Sequence, residues 1–394
     1  MQDKKARKKA KSNGKWIGRM IPALMGAASG LFILMYLDKS GQLEKGFSSI
    51  VLLFVLLLIG MYAAMLIQTI LHETGHLIFG LLTGYRFSSF RIASLMWVKV
   101  EGRIQFRKLR IAGTGGQCIM IPPDLKDGKM PVMLYNFGGA IVNLITAILC
   151  FGLSFLCPVA SPLWTILMLL TIIGLNFALM NGLPIEMGAI NNDGKNALEL
   201  SRSEEAIRAF WIGLKANEQI SKGIRLKNMP DAWFTVPSDE SMKNGIISAV
   251  GVLVCNRLMD QKRFDEADQL MKRLLNRENG ISGLSRNLMI CDRMFVEMIT
   301  ENRQDILNEM RSKDQIKMMK AMKKHPSVLR TEYGYALLAE KDPEKAKNIM
   351  SQFVQCAKTY PYPGEIEAER ELIALANEVT AKEPAQNIGK APAD

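Results

Sequence analysis

Histidine and cysteine are both scarce in this sequence of 394 residues, which has three histidines and six cysteines. The cysteines are scattered without any CxxC pair, at Cys118, Cys150, Cys157, Cys255, Cys291 and Cys356. Disulfide frameworks and cysteine-based metal sites need clustered cysteines, so neither kind of site is expected. The pattern suits a reducing compartment for the soluble part of the chain.

Charge is nearly absent from one long stretch, because Glu73 is the single formal charge between Gly46 and Tyr85. A helix of about 20 apolar residues crosses a bilayer core of about 30 Å. Four stretches qualify, at about 17–37, 47–82, 132–156 and 161–183. We therefore predict a transmembrane domain over 17–194, preceded by a basic cytoplasmic tail at 1–16.

Positive charge flanks these apolar stretches. Residues 1–19 contain eight Lys/Arg and one Asp, and residues 83–130 contain nine Lys/Arg and three acids. Lys and Arg favour the cytoplasmic side and anionic headgroups. The pattern predicts a multi-pass protein of the cell membrane with both termini cytoplasmic. It favours the lipid bilayer over nucleic acid as the partner of the basic segments.

The second apolar stretch is longer than one crossing requires, since roughly 40 residues of helix measure about 60 Å. It must tilt, break or continue into protein-lined space, and Gly75, Gly80 and Gly84 are candidate break points. A β region follows at 86–111. Its short alternating runs predict strands around 98–100, 104–106 and 109–111, with a turn at Glu101 and Gly102.

The remainder reads as a soluble all-α domain over 195–381 with a disordered tail at 382–394. Similar helix starts align Ala267, Ile306 and Ala346, which are 39 and 40 residues apart. That period is typical of stacked helical hairpins, here looser than a tetratricopeptide consensus. The predicted fold is thus mainly α: a membrane helix bundle with a small membrane-associated β-hairpin region, then a soluble helical-repeat domain.

Two of the three histidines lie in the motif His72-Glu73-Thr74-Gly75-His76. On a helix, residues four apart share a face, so both imidazoles can reach one Zn²⁺ ion. Glu73 can then take a proton from a water that the metal has acidified. Ionisable groups at membrane depth are costly and usually functional, which favours a metal site over two structural histidines.

A zinc site of this kind needs a third protein ligand. His325 lies in the soluble helical region, so a carboxylate near another span is expected. Glu186 and Asp193, which follow the fourth span, are the candidates. Asp193 also has ordinary interpretations, as part of an Asp-Gly turn or as the cap of a helix beginning near Lys195.

With this motif and a following carboxylate, the sequence resembles the site-2 protease family of membrane-embedded zinc metalloproteases, over roughly residues 47–194. The resemblance implies that His72, His76 and Asp193 hold one zinc ion and that Glu73 is the catalytic base. Asn181 and Pro184 match the family's Asn-x-x-Pro, whose Asn is implicated in holding substrate or the developing oxyanion. It also implies a β-hairpin whose edge adds an unwound substrate as a strand. Residues 132–156 are similar to the family's middle core helix.

The sequence departs from the site-2 protease pattern in two respects. Nine positions separate Pro184 from Asp193, against about five in the family pattern, and no PDZ-like domain is evident. The resemblance favours Asp193 over Glu186, because Asn192-Asp193-Gly194-Lys195 matches the family's Asp-Gly ending. The predicted function is intramembrane endopeptidase activity on membrane-spanning proteins or hydrophobic signal peptides, with a cytoplasmic protein partner for the helical domain. The alternatives are a catalytically silent membrane scaffold and a zinc protease that uses Glu186.

Overall fold

The computed structural model describes residues 20, 23–24, 26–27, 29–36, 38–39, 41, 46–100, 102–111, 114–185 and 191–382. The chain is mainly helical, with one small antiparallel sheet and an all-helical C-terminal region, which confirms the predicted fold class. It divides into two compact units that interleave in sequence. The first comprises Met1–Ile92 and Gly115–Trp211, and the second comprises Ala93–Thr114 and Ile212–Asp394.

Among the residues that the structure describes, three helices of the first unit are long and apolar enough to cross a membrane: α1 (Phe47–Leu82), α2 (Met133–Ser154) and α3 (Pro162–Gly182). Helix α3 begins with Pro162 after Ser161, whose side chain accepts a hydrogen bond from the Trp164 backbone N–H. Many of their large apolar side chains face outward, and Leu52, Ile59 and Ile148 are about 60% exposed. Such a surface suits lipid and would be a liability in water.

Helix α1 runs without a break from Phe47 through Gly75 and Gly80 to Leu82, and Gly84 follows it with a φ of 86°. At 1.5 Å per residue it is about 54 Å long. Its buried residues concentrate in the C-terminal half, including His72, Glu73 and His76. The excess length therefore continues into protein-lined space.

Helices α1 and α2 cross at glycines. A β-carbon on Gly75 would lie 2.3 Å from the Gly138 carbonyl oxygen, and one on Gly138 would lie 2.5 Å from the Gly75 oxygen. Only residues without side chains permit this backbone approach. The crossing places the turn that contains His72 and His76 directly against α2.

The start of the predicted first span lies outside the described residues, but residues 29–36 are helical. Phe32 and Tyr36 from this segment stack on Trp164, with ring centroids 5.8 and 6.4 Å apart. Tyr36 also joins a buried cluster with Leu53 and Leu57. The segment therefore packs against both α1 and α3. The predicted tail at 1–16 is outside the described residues.

The sheet has four strands, β1 (Arg86–Ile92), β2 (Leu95–Val100), β3 (Arg103–Lys108) and β4 (Gly116–Ile121), in the order β3-β2-β1-β4. β2 pairs with β3 in register from Leu95–Lys108 to Val100–Arg103. β1 pairs with β4, with an irregularity between Phe87 and Ser89. The predicted strand around 109–111 is wrong, because buried Leu109 packs in the core of the second unit instead.

Two shorter helices complete the site-bearing part of the chain, α4 (Asp193–Ser201) and α5 (Glu204–Ser221). The C-terminal region continues with α6 (Gly245–Asp260), α7 (Phe264–Leu275), α8 (Gly283–Ile299), α9 (Gln304–Met310), α10 (Lys313–Ala321), α11 (Pro326–Gly334), α12 (Pro343–Thr359) and α13 (Pro363–Lys382). Tyr335–Ala339 extends α11 as a π-helical turn. The three aligned motifs each lie at a helix start, in α7, α9 and α12. The repeat relationship and the domain limit at 194 stay predictions.

The core of the second unit combines helical and strand residues. Met271, Phe295 and Phe353 are at most 1% exposed, and Met96 and Val98 from β2 pack in the same cluster. The alternation of β2 explains this, because Met96 and Val98 share one face of the strand. Helix α13 already includes Lys382, the first residue of the predicted tail, and 383–394 lie outside the described part of the chain.

Candidate metal centre

His72 and His76 lie one turn apart on α1, and Asp193 is the first residue of α4. His72 Nε2 is 3.0 Å from Asp193 Oδ2, His76 Nε2 is 3.3 Å from the same oxygen, and the two Nε2 atoms are 3.2 Å apart. A tetrahedral ion bound at about 2.0–2.2 Å separates its donor atoms by about 3.4 Å. The three atoms therefore match one face of such a tetrahedron, and the group can hold a metal ion.

The histidine side chains are buried, at 9% and 10% exposure, whereas the Asp193 side chain retains 22%. Among the described residues, the carboxylate is therefore the more accessible part of the donor triangle. Burial by itself would raise the pKa of Asp193, but the adjacent His76 and His72 lower it well below its usual value. The carboxylate is therefore ionised, as a metal ligand must be.

Asn192 explains how the chain presents Asp193. Its Oδ1 accepts a hydrogen bond from the Lys195 backbone N–H, which makes Asn192 the N-cap of α4. Its Nδ2 donates to the carbonyls of Met180 and Leu183 at 2.6 Å each, which fastens the cap to the end of α3. Asn192, rather than Asp193, caps the helix.

A second asparagine orients His72. Asn143 Nδ2 donates to the Gln68 carbonyl at 2.9 Å and to Gln68 Oε1 at 2.7 Å, so its Oδ1 is left facing His72 Nδ1 at 2.7 Å. Gln68 is itself fixed, because its Nε2 donates to the Leu170 carbonyl at 3.0 Å. An acceptor at Nδ1 keeps a proton on that nitrogen, so in the neutral imidazole Nε2 is the nitrogen free to bind a metal.

His76 is oriented in the same way by backbone, since its Nδ1 donates to the Tyr135 carbonyl at 2.7 Å. Tyr135 in turn donates its hydroxyl to the Cys118 carbonyl at 2.9 Å. Both imidazoles therefore direct Nε2 into the triangle. Gly139 makes room for this arrangement, because a β-carbon there would lie 2.5 Å from the His72 ring.

Glu73 lies between the two histidines in sequence and is 7% exposed. Its carboxylate interacts electrostatically with His76, His72 and Asp193. It also abuts the sheet, because a β-carbon on Gly116 would lie 2.5 Å from Glu73 Oε1. A buried acid or base therefore stands beside the donor triangle and next to the first residue of β4.

The other residues singled out in the sequence are placed differently. Glu186 lies outside the described residues. Asn181 donates its Nδ2 to the Phe177 carbonyl of its own helix at 3.0 Å, and its predicted role with substrate stays a prediction. His325 is half-buried in the second unit with its Nδ1 2.9 Å from Ser327 Oγ. Burial and nearby Arg330 lower the pKa of His325 to about 4.

Sequence reasoning gave Asn143 no role and missed Gln68 entirely. Gln68 carried a signal, as the one amide side chain of α1, placed four residues before His72 on the same face. Comparisons with protein-family models, with curated proteins and with solved structures found no match to this chain.

Proposed function

We propose that this chain is an intramembrane zinc metalloendopeptidase resembling the site-2 proteases, which hydrolyses peptide bonds of membrane-spanning proteins or hydrophobic signal peptides. The observation that carries the proposal is the donor triangle of His72, His76 and Asp193, buried beside Glu73 in an apolar helix. Two imidazoles and one carboxylate leave an open fourth position, the ligand set of hydrolytic zinc sites. Mg²⁺ and Ca²⁺ prefer all-oxygen ligands.

Zinc in such a site supplies Lewis acidity toward water and toward a peptide carbonyl. Glu73 would accept the proton of the attacking water and return it to the departing amine nitrogen. Asn143 and the Tyr135 carbonyl hold the two imidazoles in the required tautomer. Asn181 is the proposed contact for the substrate carbonyl.

The position of β4 supports a peptide substrate. In the described sheet β4 pairs only with β1, and a β-carbon on its first residue, Gly116, would lie 2.5 Å from Glu73 Oε1. An extended peptide added along a sheet edge gains main-chain hydrogen bonds without regard to its sequence. A transmembrane segment unwound at this edge would have its backbone close to Glu73.

The three apolar helices support a multi-pass protein, and the distribution of Lys and Arg supports cytoplasmic termini in the cell membrane. The C-terminal helical region would then recruit a cytoplasmic protein partner. The alternative function is a membrane scaffold in which the metal is structural.

The test measures zinc content and peptide cleavage together on the full chain in detergent, with labelled single-span model peptides as substrates. The wild-type protein should hold one zinc and cleave. Glu73→Gln should keep zinc and lose cleavage by at least about a hundredfold, the usual contribution of a general base. The matched control, Glu309→Gln on the exposed surface of α9, should keep both zinc and cleavage.

Cleavage by Glu73→Gln at the wild-type rate would refute the mechanism. Zinc in the wild-type protein without hydrolysis of any membrane peptide would favour the scaffold. Loss of zinc in Glu186→Ala but not in Asp193→Ala would identify Glu186, rather than Asp193, as the third zinc ligand. Bound iron in place of zinc would exclude the protease, because two histidines and a carboxylate also suit iron oxygenases.

A further inference from the structure

A groove in the second unit, the lysine groove, lies between α10, α11 and α12 and has a volume of about 380 Å³. Its floor is apolar, formed by Met319, Val328, Leu329 and Ile349, which are 1–9% exposed. These side chains are recessed beneath a polar rim. The groove is at the small end of ligand-binding cavities, which suits one or two apolar side chains of an incoming segment.

The rim is cationic. Arg311, Lys320, Lys323 and Lys345 line the groove from three elements, against one carboxylate, Glu332. Arg311 is engaged by Glu332 at 3.2 Å, and Lys345 is engaged by Glu340 at 2.5 Å. Among the residues that the structure describes, Lys320 and Lys323 have no carboxylate within ion-pair distance.

The surrounding segment strengthens this charge. Residues 311–324 carry six Lys/Arg and one Asp, a net charge of +5. The helix dipole slightly stabilises cations near the C-terminal end of α10. This explains the position of Lys320 but of no other cation at the rim. It does not account for Lys345, which comes from α12 and converges on the same groove. Arg311 and Lys345 are already neutralised by Glu332 and Glu340, so Lys320 and Lys323 are the rim charges that an anionic ligand would neutralise.

We propose that the lysine groove binds an acidic amphipathic helix of a partner protein. Its carboxylates would pair with Lys320 and Lys323, and one or two of its apolar side chains would enter the floor. A flat bilayer offers the same negative charge but reaches a recessed floor poorly, whereas a helix presents protruding side chains. The proposal is independent of the metal centre and does not require the chain to be an enzyme.

The test uses fluorescence anisotropy with the full chain in an uncharged detergent. The probe is a labelled 18-residue helical peptide with leucines at i, i+3, i+4 and i+7 spacing and glutamates on the other face. Wild-type protein should bind it saturably and more weakly as salt rises. A peptide with lysines in place of the glutamates should not bind.

The informative variant is Lys320→Glu with Lys323→Glu, which should weaken binding at least tenfold. The matched control is Lys347→Glu with Lys358→Glu, two exposed lysines of α12 outside the groove that change the net charge by the same amount. It should bind within twofold of wild type. Ile316→Asn, a half-buried residue of the groove, should also weaken binding.

Equal weakening in the two double variants would overturn the proposal, because it would reduce the effect to overall charge. Absence of saturable peptide binding to the wild type would also overturn it. A final experiment measures binding of the chain, held in neutral-lipid nanodiscs, to phosphatidylserine vesicles. If Lys320→Glu with Lys323→Glu abolishes vesicle binding and leaves peptide binding unchanged, the surface serves a membrane instead.

Discussion

Replacing Asn143 with alanine should weaken zinc binding although Asn143 is not a ligand. In the native chain Asn143 Oδ1 accepts from His72 Nδ1 at 2.7 Å, and its amide group is held by two acceptors of Gln68. In Asn143→Ala, the imidazole loses the acceptor that fixes its tautomer, and buried polar atoms of Gln68 lose their donor. Asn143 is therefore a positioning residue for His72.

The magnitude follows from burial, since Asn143 is fully buried. A buried polar group without its partner costs about 1–3 kcal/mol. At about 1.4 kcal/mol per factor of ten, zinc affinity should fall roughly 5- to 150-fold, in line with the 10- to 100-fold typical of residues that orient metal ligands.

The assay is competition for zinc with a chromophoric chelator, using protein in detergent. The control is Thr146→Ala on the same helix, whose hydroxyl donates to the Val142 carbonyl at 2.8 Å and is outside the network. Thermal unfolding of the metal-free variants separates lost affinity from lost stability. Wild-type affinity in Asn143→Ala, or equal losses in both variants, would refute the assigned role of Asn143.

Two further predictions concern single side chains. Gly139→Ala puts a methyl group 2.5 Å from the His72 ring, so zinc affinity should fall at least a hundredfold in the same competition assay. Gly152→Ala on the same helix meets nothing within 4 Å, so it should keep its affinity; equal losses would show that the clash is not the cause. In the second unit, burial raises the pKa of Glu365 from 4.5 to about 7. Between these two pH values the Glu365 carboxyl is protonated in the folded chain and ionised in the unfolded chain. This contribution to stability is full below about pH 4.5 and is lost as pH rises through 7. For the half-buried side chain, Glu365→Gln should therefore stabilise α13 by about 2 kcal/mol at pH 8 relative to its effect at pH 4.5. Hydrogen exchange of the α13 amides measures the difference, and a pH-independent effect would contradict it.

The part of the site that could be predicted from the sequence is the local part. His72 and His76 share a face because they are four residues apart on one helix, and this depends on nothing outside α1. Asp193 is 121 residues from His72, and Asn143 is 71. Bringing those side chains to His72 depends on the glycine crossing of α1 with α2 and on the cap at Asn192, which no local pattern encodes.

The sheet shows the same limit. The β2–β3 hairpin was predictable because its alternation is regular and Gly102 marks its turn. Strand β4 was missed because it starts at Gly116 after Gly115, and a short run with glycines has weak alternation. It becomes a strand by pairing with β1, roughly 25–35 residues earlier. Conversely, the alternating residues around Leu109 do not form a strand, and Leu109 packs in the core instead. Tertiary contacts override a pattern of only three residues.

The burial of Met96 and Val98 among C-terminal helices has a consequence for the evolution of the chain. A domain added at a terminus can usually be lost without damage to what precedes it. Here the hairpin inserted between β1 and β4 has its apolar face covered by helices encoded more than a hundred residues later. Loss of residues 212–382 would expose two large side chains, at about 1.5–3 kcal/mol each. The hairpin and the C-terminal helices must therefore be inherited as one part, although they are separate in sequence.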